Sequence, residues 1–521
     1  MKRLASSLVA LAALAACTTG PTPTDPATST PAPSATAPAT PTAVDASSAT
    51  ELVRQGAEPL TTVLASIPLQ GEGSLTGATL DILEVRVTDA STVVTFALTH
   101  PDFQADFDDR LRSTNEWAPA LRAGDGVYWP AKTVMYNNVA NLHDRMALVG
   151  QPYTLLAAPR GMFALFAPLP ASVTEVEVLS PLSDDTVSVP VVRGPATAPE
   201  GTADIPALGQ VTYADPNDAD NPVPVTVTVH GVRRVEDATV LYYSAVLPEG
   251  SEPQNLATFG GGSTVLAYAV GGRQSWPLTM GVVDHANHQA HTVAFDAYRA
   301  QVCSPGDVTV DGEVARTCWA AMPGLPENVT RVDVIIGGQQ AIQDVPVEDG
   351  PLTPTIPNAD DPFPVLGGPW PEIPAEALAV AARPDQAEKA VLPLVDVVTE
   401  DAITTSGQQL DLDTTVLFAY NEATLTPEAN AVLTQVAEQI QGFDNPGQLT
   451  LTGHTDADGS SSDNLDLSRR RAQAVADALA PLLGDGYTFA VDGKGEADPI
   501  APNTTETGKA LNRRVTILPP S

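Results

Sequence analysis

Between about Leu52 and Pro351 apolar and polar residues tend to alternate, as in Ala78-Thr79-Leu80-Asp81-Ile82-Leu83-Glu84-Val85 and Val223-Pro224-Val225-Thr226-Val227-Thr228-Val229. Period two puts successive side chains on opposite faces, so these runs predict half-buried strands, with Gly, Pro, Asn and Asp marking the turns between them. The pattern also repeats. Val85-Arg86, Thr92-Val93-Val94 and Trp129-Pro130 recur as Val232-Arg233, Thr239-Val240-Leu241 and Trp276-Pro277 at an offset of 147. Leu169-Pro170, Val173-Thr174, Val189-Pro190-Val191 and Gly194-Pro195 recur at an offset of 156, so the second copy holds a net insertion of nine residues. The expectation is two duplicated all-β, sandwich-like domains over residues 51–200 and 201–351. A transmembrane barrel needs longer strands and aromatic girdles, and aromatics are only 5% here.

The period changes beyond a proline-dense stretch read as a linker over residues 352–400. In residues 401–521 strands are expected near Thr414 to Phe418, Gln448 to Gly453, Tyr487 to Asp492 and Arg514 to Leu518. Helices are expected from about Pro427 to Gln441 and Leu467 to Leu483, the second with Ala472, Val475, Ala476, Leu479, Leu482 and Leu483 as its buried stripe. This is an α+β domain with a βαβαβ core, and the whole chain is multidomain.

Charge narrows the function classes. With 63 acidic and 26 basic side chains the net charge is -37, which repels phosphate backbones and excludes a nucleic-acid partner held by a basic surface. At the N-terminus Lys2 and Arg3 precede an apolar stretch, Leu4 to Ala16, too short to span a membrane. Leu14-Ala15-Ala16-Cys17 resembles the lipobox of bacterial lipoproteins. That resemblance implies a signal peptide over residues 1–17, acylation of Cys17 and a membrane partner through the lipid. Residues 18–50 are almost wholly Thr, Pro, Ser and Ala, and are expected to form an unfolded tether. Fully extended, it reaches on the order of 100 Å.

In the last domain Leu417-Phe418 with Leu425-Thr426-Pro427, Gly453-His454-Thr455-Asp456, Asn464 with Leu467-Ser468 and Arg471-Ala472, Gly495-Glu496 with Pro499, and Asn512-Arg513-Arg514-Val515 together resemble the OmpA-like peptidoglycan-binding family. The family often has an aspartate soon after the first phenylalanine, where this chain has Ala419-Tyr420-Asn421. The resemblance implies peptidoglycan as partner and a cell-envelope location. It also implies that Asp456 and Arg471 hold the two ends of a diaminopimelate centre, whose ammonium and carboxylate call for one anion and one forked cation. Asn421, Asp463 and Asn464 are further candidates for stem-peptide contacts, whereas His454 reads as structural and Arg513 and Arg514 as packing against the sheet edge.

Once Cys17 is acylated, Cys303 and Cys318 are the remaining cysteines, and an oxidising exterior favours a disulfide between them. Asp284-His285, His288 and His291 cluster, but their spacing in a strand scatters the imidazoles, and no metal is expected. The Asp108-Asp109, Asp184-Asp185 and Asp218/Asp220 carboxylates lie in turn-like stretches, and neither a nucleophile elbow nor a phosphate or dinucleotide loop occurs between residues 52 and 351. The expectation is a non-enzymatic lipoprotein without a cofactor that links membrane to wall. A wall-targeted hydrolase or transferase, or a surface receptor or adhesin with an unknown ligand on the β domains, is the alternative.

Overall fold

The computed structural model describes residues 45–55, 60–70, 76–101, 118–124, 126–136, 143–147, 162–214, 224–255, 280–294, 302–304, 309–336, 340–357, 363–385, 390–400, 402–443 and 445–519. Cys17, most of the tether, Asp108, Asp109, Asp218, Asp220, Trp276 and Pro277 lie outside these residues. The last residues of the expected tether belong to helix α1 (Ala46–Arg54), which starts where Asp45 accepts a hydrogen bond from Ser48 N at 3.1 Å. Its inner face buries Ala49 and Val53.

The first strand-rich region comprises β1 (Ala65–Pro68), β2 (Thr79–Val87), β3 (Thr92–Thr99), β4 (Ala120–Ala123), β5 (Gly126–Tyr136), β6 (His143–Ala147), β7 (Met162–Phe166), β8 (Glu175–Ser180), β9 (Ser183–Pro190) and β10 (Val192–Arg193). One sheet runs β1-β2-β3-β7 with β10 parallel to β2. In a second, β4 pairs with β5 and β8, and β8 with β9. Leu80, Ile82 and Phe96 of the first meet Leu121, Val178 and Val189 of the second in one core.

The next region comprises β11 (Gly209–Ala214), β12 (Pro224–Val235), β13 (Ala238–Val246), β14 (Gln254–Asn255), β15 (Met280–Asp284), β16 (Gln289–Thr292), β17 (Thr309–Val310), β18 (Arg316–Pro323), β19 (Arg331–Ile336) and β20 (Gln340–Asp349). Its pairings are β11-β12-β13-β18 with β20 parallel to β12, and β15 with β16 and β19. Registers recur between the regions. Val85 faces Val94 and the ladder shifts between Ile82 and Glu84; Val232 faces Leu241 and the ladder shifts between Val229 and Gly231. Leu169 N donates to Thr92 Oγ1 at 3.1 Å, and Leu325 N to Thr239 Oγ1 at 2.8 Å. The carbonyls of Pro170 and Val173 accept from Arg193 on β10, whereas those of Pro326 and Val329 accept from Arg234 on β12. Arg193 faces Val87 and Arg234 faces Asp349, so the same task sits on opposite members of a facing pair.

Several strands are buried on both faces rather than one. In β13, Leu241, Tyr243 and Ala245 enter the core between the sheets, while Val240, Tyr242 and Val246 pack beneath α1 and helix α2 (Ala375–Ala381). In β7, Met162, Ala164 and Phe166 face one core and Phe163 and Leu165 another, the latter shared with Val283 and Ile335 of the second region. A fully buried carboxylate also joins the regions. Asp333 accepts from Ser91 Oγ at 2.5 Å, from His285 Nε2 at 2.9 Å and from Asp344 N at 2.9 Å.

No disulfide joins Cys303 and Cys318 in this structure, contrary to expectation. Cys303 lies across from Ala320, so Cys318 is its diagonal neighbour, and diagonal Cα atoms about 7 to 8 Å apart exceed the usual bridging distance. Burial pushes the Cys303 thiol up to about 12 and the Cys318 thiol higher still.

After β21 (Thr355–Pro357) and β22 (Trp370–Glu372), the stretch expected to be spacer contains β23 (Val391–Glu400). This strand pairs with β16 through Leu392, with β5 through Val398, and on its other edge with β24 (Ile403–Ser406). The C-terminal sheet follows as β25 (Gln409–Asp413), β26 (Gln448–His454), β27 (Thr488–Gly495) and β28 (Arg514–Leu518), ordered β24-β25-β28-β26-β27 with only β26–β27 parallel. Helices α3 (Thr414–Leu417), α4 (Ala429–Gly442), α5 (Ser461–Leu483) and α6 (Glu506–Asn512) complete the domain. Leu433, Val436, Val475 and Leu479 pack on Leu410, Leu449, Leu451 and Ile517. Thr414 to Leu417 is helix where a strand was expected, because Asp413 accepts from Thr415 N at 2.7 Å and starts a turn. Leu482 of the expected stripe is 41% exposed.

Candidate functional site

Three glycines let α5 lie directly on the ends of β26 and β27. A Cβ on Gly453 would stand 1.9 Å from Ser468 O, one on Gly493 2.6 Å from Arg469 N, and one on Gly495 3.0 Å from Leu465 N. Arg471, one turn beyond Ser468, is thereby brought beside the loop that follows β26, where Asp456 lies. Asp456 is 9% exposed and Arg471 5%. Both side chains are thus largely enclosed. With α5 beginning at Ser461, Arg471 also stands in the third turn, roughly 15 Å along the axis, so the helix N-terminus does not serve the same ligand group.

The two charged groups are each held by protein partners. Arg471 Nε donates to Glu422 O at 2.9 Å and NH1 to Thr414 Oγ1 at 3.3 Å, with the guanidinium 5.3 Å from the centroid of the Phe418 ring. Its NH2 makes no hydrogen bond among the described residues. Burial lowers the Arg471 pKa, and the Asp456 charge opposes that shift, yet the pair forms no ion pair among the described residues. Asp456 Oδ2 instead accepts from Arg513 NH1 at 2.7 Å, and Oδ1 from Asp458 N at 3.1 Å. Asp456 and Arg471 are therefore near enough for their charges to interact, and each is oriented by protein partners rather than by the other.

The remaining candidates divide. Asn464 is buried, donating to Asp456 O at 3.3 Å and to Glu496, so it shapes the Asp456 loop. Asp463 is exposed, and its carboxylate accepts from the cap residue Ser460 at 2.7 Å. Asn421 is exposed in a left-handed turn with φ 60, close to the Glu422 carbonyl that holds Arg471. Arg513 was expected only at the sheet edge, and its pairing with Asp456 follows from no spacing or periodicity in the sequence. Burial, with the charges of Arg514 and Lys494, pushes His454 down to about 3, so it is neutral in the folded domain.

Residues 417–513 match the OmpA family. The C-terminal domain is an OmpA-family domain. Its sequence is 39% identical over 100 residues to outer membrane protein A of Bordetella avium, covering 19% of this chain and 51% of that protein. It is 37% identical over 118 residues to probable lipoprotein YiaD of Escherichia coli (strain K12), covering 22% and 53%. This chain spans about half the length of these relatives. Among solved structures, the cell wall anchor of the T6SS from Pseudomonas aeruginosa is 30% identical, with a TM-score of 0.19, covering 24% of this chain and 85% of that one. The OmpA-family match takes in α4 to α6 and both charged groups, and leaves the strand-rich regions outside it.

Proposed function

We propose that this chain is a non-enzymatic cell-envelope protein whose OmpA-family domain binds peptidoglycan, gripping the diaminopimelate of the stem peptide between Asp456 and Arg471. The observation that carries the reading is the unclosed pair. Two opposite charges share an enclosed site without bonding to each other, Asp456 backed by Arg513 and Arg471 by Glu422 and Thr414. A group bearing an ammonium and a carboxylate on one carbon supplies what each charge lacks. The relatives' names, outer membrane protein A and probable lipoprotein YiaD, support an envelope location. A lipid on Cys17 then ties the protein to a membrane. The recurring registers support two duplicated sandwich domains displayed between the anchor and the wall.

The test is sedimentation of the whole chain with purified peptidoglycan. Asp456→Asn and Arg471→Ala each leave a ligand charge without its partner in an enclosed site. The expected loss is about 2 to 5 kcal/mol, or roughly 30- to 5,000-fold. A wall with lysine in place of diaminopimelate lacks the carboxylate for Arg471 and should bind less. Equal sedimentation of parent and folded variants would sink the reading. For the anchor, Cys17→Ser should move the protein from the membrane to the soluble fraction.

A further inference from the structure

Tyr420 is 95% exposed, whereas the other exposed large apolar side chains among the described residues lie between 38% and 51%. Leaving a whole aromatic ring in water forgoes the burial that normally retains such residues. Its backbone is nonetheless fixed. Phe418 bridges to Leu425, Glu422 N donates to Ala419 O at 3.0 Å, Thr426 N donates to Leu417 O at 2.9 Å, and Asn421 takes the left-handed conformation that closes the turn. The turn is the one that holds Arg471, since Glu422 O accepts from its Nε at 2.9 Å. Phe418, two residues before Tyr420, is 2% exposed and lies under the guanidinium. Phe418 is buried beneath the cation, and Tyr420, on the turn that follows, stands in solvent.

We infer that Tyr420 is a saccharide-contact residue, which packs its ring against a pyranose of the glycan strand while the charged pair holds the stem peptide. The inference rests on the peptidoglycan reading above. A pyranose presents a face of C–H groups edged by hydroxyls, and a tyrosine offers an apolar face with one polar tip, so the two surfaces match without charge. Neutral contact matters on a chain of net charge -37, which repels the carboxylates of the ligand except where a cation is placed. A ring on a fixed turn also loses little conformational freedom on binding, having two side-chain torsions.

The experiment uses the full chain and two soluble probes, a diaminopimelate-containing stem peptide and the same peptide carrying its disaccharide, measured by calorimetry. Tyr420→Ala should weaken the disaccharide-peptide roughly 3- to 10-fold and leave the free peptide unchanged. Tyr420→Trp should keep the disaccharide-peptide affinity. Equal losses on both probes would mean that the ring touches the peptide, and no loss on either would mean that it touches nothing; both results overturn the inference. Asp456→Asn reads the underlying site separately. If it spares both probes, or if the parent binds neither, the peptidoglycan reading fails together with this one.

Discussion

Gly453→Ala tests whether the close approach of α5 to β26 builds the wall site. The added Cβ would meet Ser468 O at 1.9 Å, Ser468 C at 2.6 Å and Ser468 Cα at 3.1 Å. Carbon contacts settle near 3.5 to 4.0 Å, so roughly 1.5 Å must be recovered by lifting the helix from the strand. All three atoms are backbone, and no rotamer change relieves the clash. Overpacking of this kind typically costs about 1 to 3 kcal/mol, and lifting α5 also loosens Val475 and Leu479 from Leu449 and Leu451. The same shift carries Arg471 away from Asp456, so affinity for peptidoglycan should fall even in molecules that fold. Urea titration of the whole chain, beside sedimentation with purified wall, reads both effects. Gly442→Ala is the control: nothing lies within 4 Å of its Cβ position, so stability should rise by about 0.4 to 1 kcal/mol. If Gly453→Ala matches the parent in stability and wall binding, the glycine contact does not set the site.

Asp333→Ala should destabilise the strand-rich part by about 3 to 5 kcal/mol, since it strips the acceptor from Ser91, His285 and Asp344 N in a fully buried place; an unchanged denaturation midpoint would contradict this. Thr239→Val should cost about 1 to 3 kcal/mol by leaving Leu325 N without its acceptor, again read by denaturant titration. Acid should destabilise through His230 and His454, which burial pushes down to about 4 and about 3. Below their ordinary value of 6.5 the unfolded chain takes up the protons first, so these two contributions are intact above pH 6.5 and fall as pH drops. By pH 4.5 each has cost roughly 2 to 3 kcal/mol of stability, and His454→Gln should flatten that part of the slope measured from pH 7 to pH 4.5.

Strand positions in the β regions follow from alternation and turn residues, and the last strand, Arg514–Leu518, has the expected bounds. Patterns of apolar residues fail where the local signal is polar. Helix α5 begins at Ser461, six residues before the expected start at Leu467, because Ser460 caps it by accepting from Asp463 N at 3.2 Å. Strand β23 was obscured by the surrounding prolines, although Val391-Leu392-Pro393-Leu394-Val395-Asp396-Val397-Val398 contains the apolar run of a buried strand. At the candidate site, residue types in order single out Asp456 and Arg471 as candidates, but not the groups that hold them. Glu422 contributes a backbone carbonyl, which no side-chain pattern encodes, and Arg513 is 57 positions from Asp456 in the chain.

Strand β23 imposes an order on assembly. Its partners Thr133 and Gly126 in β5 were synthesised 261 and 274 residues earlier, at Leu394↔Thr133 and Glu400↔Gly126. Until residue 400 has left the ribosome, the edge of β5 that receives it has no mate, and an open edge invites pairing with other chains. The ladder closes a very long loop, which slows its formation more than it weakens the finished structure. Nascent molecules therefore pass through an interval in which most of the first region exists and is unsealed, and that interval is when a holdase has something to hold.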